Sequence, residues 1–155
     1  MFSIKGKLDF SLEDWTKKQK SQSSWKRTAM ILTKCDLDKY YSWFLKSRFN
    51  LELNKNLRGS HVTIINDRME KSIFNEGSRT FHGREIEFWI DPKNIKSSGK
   101  HWWIDVKCPD AENIRECLGL KRIPYFGFHL TLGHANEKNE FHSEYILNQI
   151  KRFDL

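Results

Sequence analysis

The sequence predicts an α+β domain, and three observations predict it. Segments in which apolar and polar residues alternate, the mark of half-buried strands, are interleaved with segments of helical apolar spacing, in an irregular order. The length of 155 residues suits one domain spanning residues 1–155 and can bury a core without disulfide or metal staples. One strand-borne motif occurs twice, its histidines 68 residues apart (129 − 61) and so close to half the chain, which predicts two similar lobes facing one another across a cleft.

The elements follow in order. Ser11-Leu12-Glu13-Asp14 has the pattern of a helix N-cap, and the polar run Thr16 to Ser24 continues it as a helix tail or exposed loop. Arg27-Thr28-Ala29-Met30-Ile31-Leu32 suits a buried strand. Asp36 or Asp38 can cap a helix in which Leu37, Tyr40, Tyr41, Phe44 and Leu45 recur at helical spacing, to about Phe49. Ser60 to Ile65 reads as a strand and Asn66 to Arg79 as an irregular stretch. Ile86, Phe88 and Ile90 alternate with Glu87, Trp89 and Asp91, and Trp102, Ile104 and Val106 with Trp103, Asp105 and Lys107. These are two paired strands, Glu85 to Asp91 and His101 to Lys107, with Pro92 and Ser97-Ser98-Gly99 supplying the loop between them. Asp110 can cap a helix with Ile114, Cys117 and Leu118 on its core side and Gly119 at its end. Tyr125 to Leu132 reads as a strand, and Ser143 as the cap of a last helix bearing Ile146, Leu147 and Ile150.

Composition narrows the partners. Lys plus Arg number 27 against 20 Asp plus Glu, a net charge of +7, which favours an anionic partner. Eleven Phe, six Trp and four Tyr argue against a disordered chain. The three cysteines, Cys35, Cys108 and Cys117, form no CxxC pair and predict free thiols in a reducing cytosol. Met1 to Gly6 lacks a basic region followed by an apolar stretch, so no secretory signal is expected, and no apolar run approaches the ~18 residues of a membrane-spanning helix.

The repeated motif carries the chemistry. Gly59-Ser60-His61-Val62-Thr63 and Gly127-Phe128-His129-Leu130-Thr131 both read Gly-x-His-x-Thr, and both fall in predicted strands. Strand side chains alternate faces, so His61 shares a face with Thr63, and His129 with Thr131. Behind them Val62 and Ile64, and Phe128, Leu130 and Leu132, make apolar faces for a core. Gly127 and Gly133 on the motif face leave room for a ligand to approach the backbone. Two such faces set against one another place two imidazoles and two hydroxyls around a small anion. Phosphoryl transfer without a metal uses that set. A neutral imidazole takes a proton from the nucleophile, a protonated one gives a proton to the leaving oxygen, and histidine does both near neutrality. The threonine hydroxyls donate to phosphate oxygens as charge develops on them.

These paired motifs resemble those of the two-histidine phosphoesterase superfamily, which includes RNA ligase-like and cyclic phosphodiesterase proteins. The stretches Leu57-Arg58-Gly59-Ser60-His61-Val62-Thr63-Ile64-Ile65-Asn66-Asp67 and Tyr125-Phe126-Gly127-Phe128-His129-Leu130-Thr131-Leu132-Gly133, with the basic balance and the tryptophans, are more narrowly similar to the phage anti-CBASS cyclic-nucleotide hydrolases. The resemblance runs from about Arg27 onward. It implies two pseudo-symmetric lobes whose antiparallel sheets line a central cleft, with helices outside and one motif strand from each lobe. It implies a metal-independent hydrolase that needs no cofactor and destroys the cyclic di- and trinucleotide messengers of bacterial anti-phage immunity, in the cytoplasm of an infected host.

A cyclic nucleotide also offers flat bases, and bases call for stacking platforms. Trp25 stands just before the first expected strand, while Trp89 and Trp103 lie on polar strand faces, so these three are the expected substrate-binding aromatics, each of which could instead pack against a neighbouring element. Trp102 falls on an apolar face, and Trp15 and Trp43 in helices, as packing residues. The remaining histidines, His82, His101, His134 and His142, have no zinc-like spacing, so no metal is expected. The partner expected is a cyclic oligonucleotide, with no membrane and no long nucleic acid required. Two other readings share these residues: an RNA-processing enzyme opening 2′,3′-cyclic phosphates, and a non-catalytic nucleotide- or RNA-binding module, which leaves the duplicated motif unexplained.

Overall fold

The computed structural model describes residues 1–10, 27–55 and 59–152. The helix expected from Ser11, the polar run after it, and Trp15 and Trp25 lie outside the described residues.

The described elements are β1 (Phe2–Asp9), β2 (Arg27–Leu32), α1 (Leu37–Phe49), β3 (His61–Asp67), α2 (Lys71–Phe81), β4 (Glu85–Ser97), β5 (His101–Lys107), α3 (Pro109–Cys117), β6 (Phe128–His134) and α4 (Glu140–Ile150). Their order is ββαβα, twice. The fold is α+β. All strand pairs are antiparallel, and the strands join in one closed ring, β1-β2-β3-β6-β5-β4. The second and third strands of each half therefore lie together, and the two motif strands, β3 and β6, adjoin at the middle of the ring order. The alternation that suggested half-buried strands has its expected consequence. Ile86, Phe88, Ile90, Ile104, Leu130, Val62 and Ile64 join one buried cluster with Tyr41 and Leu45 of α1, Ile114 of α3 and Ile146 and Ile150 of α4. The opposite faces of the strands keep their polar residues.

Several elements differ from expectation, each for a local reason. β1 was not foreseen, although Ile4 and Leu8 alternate with Lys5 and Lys7. Gly6 interrupts the apolar series, and it must, because a Cβ there would lie 2.6 Å from the carbonyl oxygen of Leu32. The stretch expected to be irregular contains α2, in which Phe74, Gly77 and Phe81 are buried at helical spacing. Gly77 reads as a breaker but admits the Leu118 side chain, 3.0 Å from where its Cβ would be. β4 runs past Pro92 to Ser97 through a register shift between Ile90 and Ile95. A bulge tolerates a residue without an N–H, and the Pro92 carbonyl accepts from the Tyr41 hydroxyl at 2.7 Å. α3 begins at Pro109 with Cys108 in the N-cap position, so Asp110 lies in the first turn and Cys117 is exposed. Asn139 caps α4, its side chain accepting from the His142 N–H at 2.9 Å, while the Ser143 hydroxyl turns back to the Asn139 carbonyl. Trp43, expected to pack, is exposed, and Trp102 is buried as expected. β6 begins only at Phe128, because Gly127 takes φ +68° after a turn in which its N–H donates to the Pro124 carbonyl at 2.8 Å.

Candidate functional site

The site is set by one register. Val62 of β3 stands opposite Leu130 of β6, both wholly buried. Extending this antiparallel pairing one residue each way sets His61 against Thr131 and Thr63 against His129, on the shared opposite face, where all four are half-buried. Each histidine thus faces the threonine of the other motif. The two histidines are diagonal neighbours, a relation that puts Cα atoms about 7–8 Å apart and keeps long or ring side chains within reach of one another. The entry into each motif strand is also duplicated. Gly59 and Gly127 adopt φ of +69° and +68°, and no atom comes within 4 Å of a Cβ built on either. That left-handed conformation favours glycine and explains why both motifs begin with it. The room expected beside Gly133 is taken by the chain itself: a Cβ there would lie 2.7 Å from the Asn54 carbonyl oxygen.

The His61 ring is oriented by its own motif. Its Nδ1 lies 3.0 Å from the Gly59 carbonyl oxygen. A carbonyl only accepts, so in the neutral ring Nδ1 carries the proton and Nε2 bears the lone pair. His129 has a different setting. On its other flank β5 places Asp105 opposite it and Trp103 opposite Thr131. The Trp103 and His129 rings meet edge-on, with centroids 6.4 Å apart, and Lys96 holds the Asp105 carboxylate at 2.5 Å. A register shift between Trp102 and Trp103 brings His134 opposite His101, with ring centroids 6.0 Å apart.

Beneath the motif strands lies a buried cation. Arg115 of α3 is 2% exposed. Its Nη1 donates to the Ile64 carbonyl at 2.9 Å and to Asp67 at 2.8 Å, its Nη2 to Asp67 at 3.2 Å, and its Nε to the Lys121 carbonyl at 2.7 Å. It therefore ties the end of β3 to the segment leading into β6. At the other end of β3 the Ser60 hydroxyl donates to Asp38 of α1 at 3.0 Å.

Of the residues singled out from the sequence, His61, Thr63, His129, Thr131 and Trp103 come together. Trp89 does not join them: it lies on β4 opposite Ser3 and Lys107 and borders neither of the cavities beside His129. Among the described residues no three His, Cys, Asp or Glu side chains are grouped to hold a metal ion. Cys108 is not a nucleophile in waiting, since burial pushes its thiol up to about 11. Two residues were missed. Phe126 borders both cavities at His129. Reading Tyr125 to Leu132 as one strand put Phe126 in line with the core residues Phe128 and Leu130, but the Pro124-x-x-Gly127 spacing signals a turn that ejects it. Arg115, one of 27 basic residues, carries no sequence signal that sets it apart.

Searches of protein-family models, of curated proteins and of solved structures find no match to this chain.

Proposed function

We propose that this chain is a metal-independent phosphodiesterase of the two-histidine type that hydrolyses cyclic di- and trinucleotide messengers, and that its biological role is to disarm the bacterial anti-phage response those messengers trigger. The single observation that carries the chemistry is the Val62–Leu130 register between β3 and β6, whose extension by one residue each way sets His61 against Thr131 and Thr63 against His129. The doubled ββαβα order supports reading the ring as two pseudo-symmetric lobes joined along the motif strands, with the catalytic cleft on their shared polar face.

The roles follow from the ring settings. His61, with its proton on Nδ1, presents Nε2 as general base. It takes the proton of the attacking hydroxyl, from water or a ribose 2′-OH, as the new P–O bond forms. His129, protonated, gives its proton to the leaving ribose oxygen as the old P–O bond breaks. Thr63 and Thr131 donate hydrogen bonds to the non-bridging oxygens, where negative charge grows. Trp103 offers a stacking surface beside His129 for a base of the substrate.

The test is incubation of the full chain with a panel of cyclic di- and trinucleotides and terminal 2′,3′-cyclic phosphates, with EDTA present, followed by chromatography. Opening of the rings is the expected result. Turnover of terminal 2′,3′-cyclic phosphates alone would replace the reading with RNA end processing, and depletion without product would replace it with sequestration.

A further inference from the structure

Two cavities meet at His129. The first, about 360 Å³, is walled by Trp103 and Phe126 and reaches Thr131 and His101. The second, about 400 Å³, runs from Thr63 to Asn66 and is closed by Tyr125 and Phe126. Both volumes fall in the range of small-molecule pockets, roughly 300–1,000 Å³. A phosphate held between the histidines would fill neither.

The residue between the cavities is unusual. Phe126 is 82% exposed and Tyr125 94% exposed, side by side at the tip of the Pro124–Gly127 turn, with rings edge-on at 4.8 Å. Neither ring serves the core, and adjacent aromatics exposed beside a cleft mark a surface built for contact. A second observation is the lining of the first cavity, where Trp103 and Phe126 present aromatic faces beside the rings of His129 and His101. In the second cavity Asn66 brings a carboxamide, which can donate to or accept from the edge of a base.

We propose that the two cavities are nucleoside subsites on either side of the scissile phosphate, with Phe126 as the partition on which bases stack from both sides. The substrate class is then an internal phosphodiester with a base on each side, and not a terminal phosphate that carries one. This rests on the phosphodiesterase reading for where the phosphate sits. The cavity beside Trp103 takes one base on the aromatic faces of Trp103 and Phe126. The cavity beside Tyr125 takes the other, with Asn66 at its edge.

Equilibrium binding tests it. The full chain is titrated into a 2-aminopurine–adenine dinucleoside with a methylphosphonate linkage, and into 2-aminopurine riboside 3′-(methyl methylphosphonate), equally uncharged, which has one base. Stacking of one further base is expected to favour the two-base probe by about 5- to 140-fold. Phe126→Ala should erase most of that preference, Tyr125→Ala should reduce it, and Phe141→Ala, at an exposed ring on α4, should leave it unchanged. Equal binding of the two probes by the unmodified chain, or an undiminished preference in Phe126→Ala, overturns the proposal. Turnover of 3′,3′-cyclic diadenylate, measured alongside, keeps the two claims apart. A chain that prefers the two-base probe but cleaves no ring supports the subsites and defeats the phosphodiesterase reading. A chain that cleaves rings without that preference defeats the subsites alone.

Discussion

Arg115 grips Asp67 with both ends of its guanidinium, at 2.8 and 3.2 Å, and the same side chain holds the carbonyls of Ile64 and Lys121. One buried cation thus fixes the end of the first motif strand relative to the approach to the second. Removing one partner of such a pair leaves the other charge buried without its counterion. Asp67→Ala is therefore expected to lower unfolding free energy by about 3 kcal/mol, the lower end of the range for broken buried pairs because Asp67 keeps some contact with water. The double variant Asp67→Leu, Arg115→Met removes both charges and should recover much of that loss. Urea unfolding of the three proteins checks this, and a double variant less stable than the single would contradict it. Arg115→Lys keeps the charge but has no fork to serve Asp67 and two carbonyls together. It should lower kcat more than KM, since the displaced strands carry the reacting groups.

The motif strands, α1, and the pairing of β4 with β5 were legible because periodicity and burial agree there. His61, Val62 and Thr63 alternate as a strand must, and the pleat leaves no choice of face. What the sequence hid is what depends on a neighbour distant in the chain. Gly6 and Gly77 read as interruptions, and only the positions of Leu32 and Leu118 explain why no side chain fits there. Phe126 has the hydropathy of a core residue, and its place inside the Pro124–Gly127 turn decides that it is exposed. Arg115 is one charge among many until α3 is seen to lie against Ile64 and Asp67. The paired histidines could be named from the motif, but which threonine faces which histidine needed the Val62–Leu130 register.

Tyr41 gives a stability prediction with a definite pH window. Burial pushes its hydroxyl from the ordinary value near 10 up to about 12, helped by the nearby Tyr40 and Asp91, and that hydroxyl donates to the Pro92 carbonyl. The folded value lies above the unfolded one, so the group's contribution is fully present below pH 10. It is lost as pH rises toward 12, because the unfolded chain gives up its proton first. Tyr41→Phe lacks this titration. Its stability deficit relative to the parent chain should be largest below pH 10 and shrink between pH 10 and 12, as followed by urea midpoints. A deficit that stays constant across that window would mean that Tyr41 is not held in its protonated form by the fold.

The threonines separate transition-state from ground-state work. Thr63→Val and Thr131→Val keep shape and remove one donor each, so the strands should fold as before. Each is expected to lower kcat by about 10- to 10³-fold on a cyclic dinucleotide with a small change in KM, because the hydroxyls serve charge that develops during reaction. A change confined to KM would instead make them binding contacts.

The last prediction concerns which histidine does what. The Gly59 carbonyl accepts from Nδ1 of His61, so Nε2 is its reacting atom. The proposed reading makes His61 the base and His129 the acid. Both states must exist together, so the rate should pass through a maximum with pH. The rising limb follows loss of a proton from the base and the falling limb loss from the acid, with both limbs belonging to the coupled pair. On cyclic dinucleotides either His→Ala change should lower turnover by about 10²- to 10⁴-fold, and the double change little further if the two act as one unit. EDTA should leave the rate unchanged. A substrate with a p-nitrophenolate leaving group separates the roles, because that group departs without protonation. On uridine 3′-(p-nitrophenyl phosphate), which leaves both water and a 2′-OH available as nucleophile, His129→Ala should recover most of its lost rate and lose the falling limb of its pH profile, while His61→Ala should stay impaired and lose the rising limb. Recovery by His61→Ala instead would reverse the assignment, and full activity of the double variant on cyclic dinucleotides would remove both histidines from the chemistry.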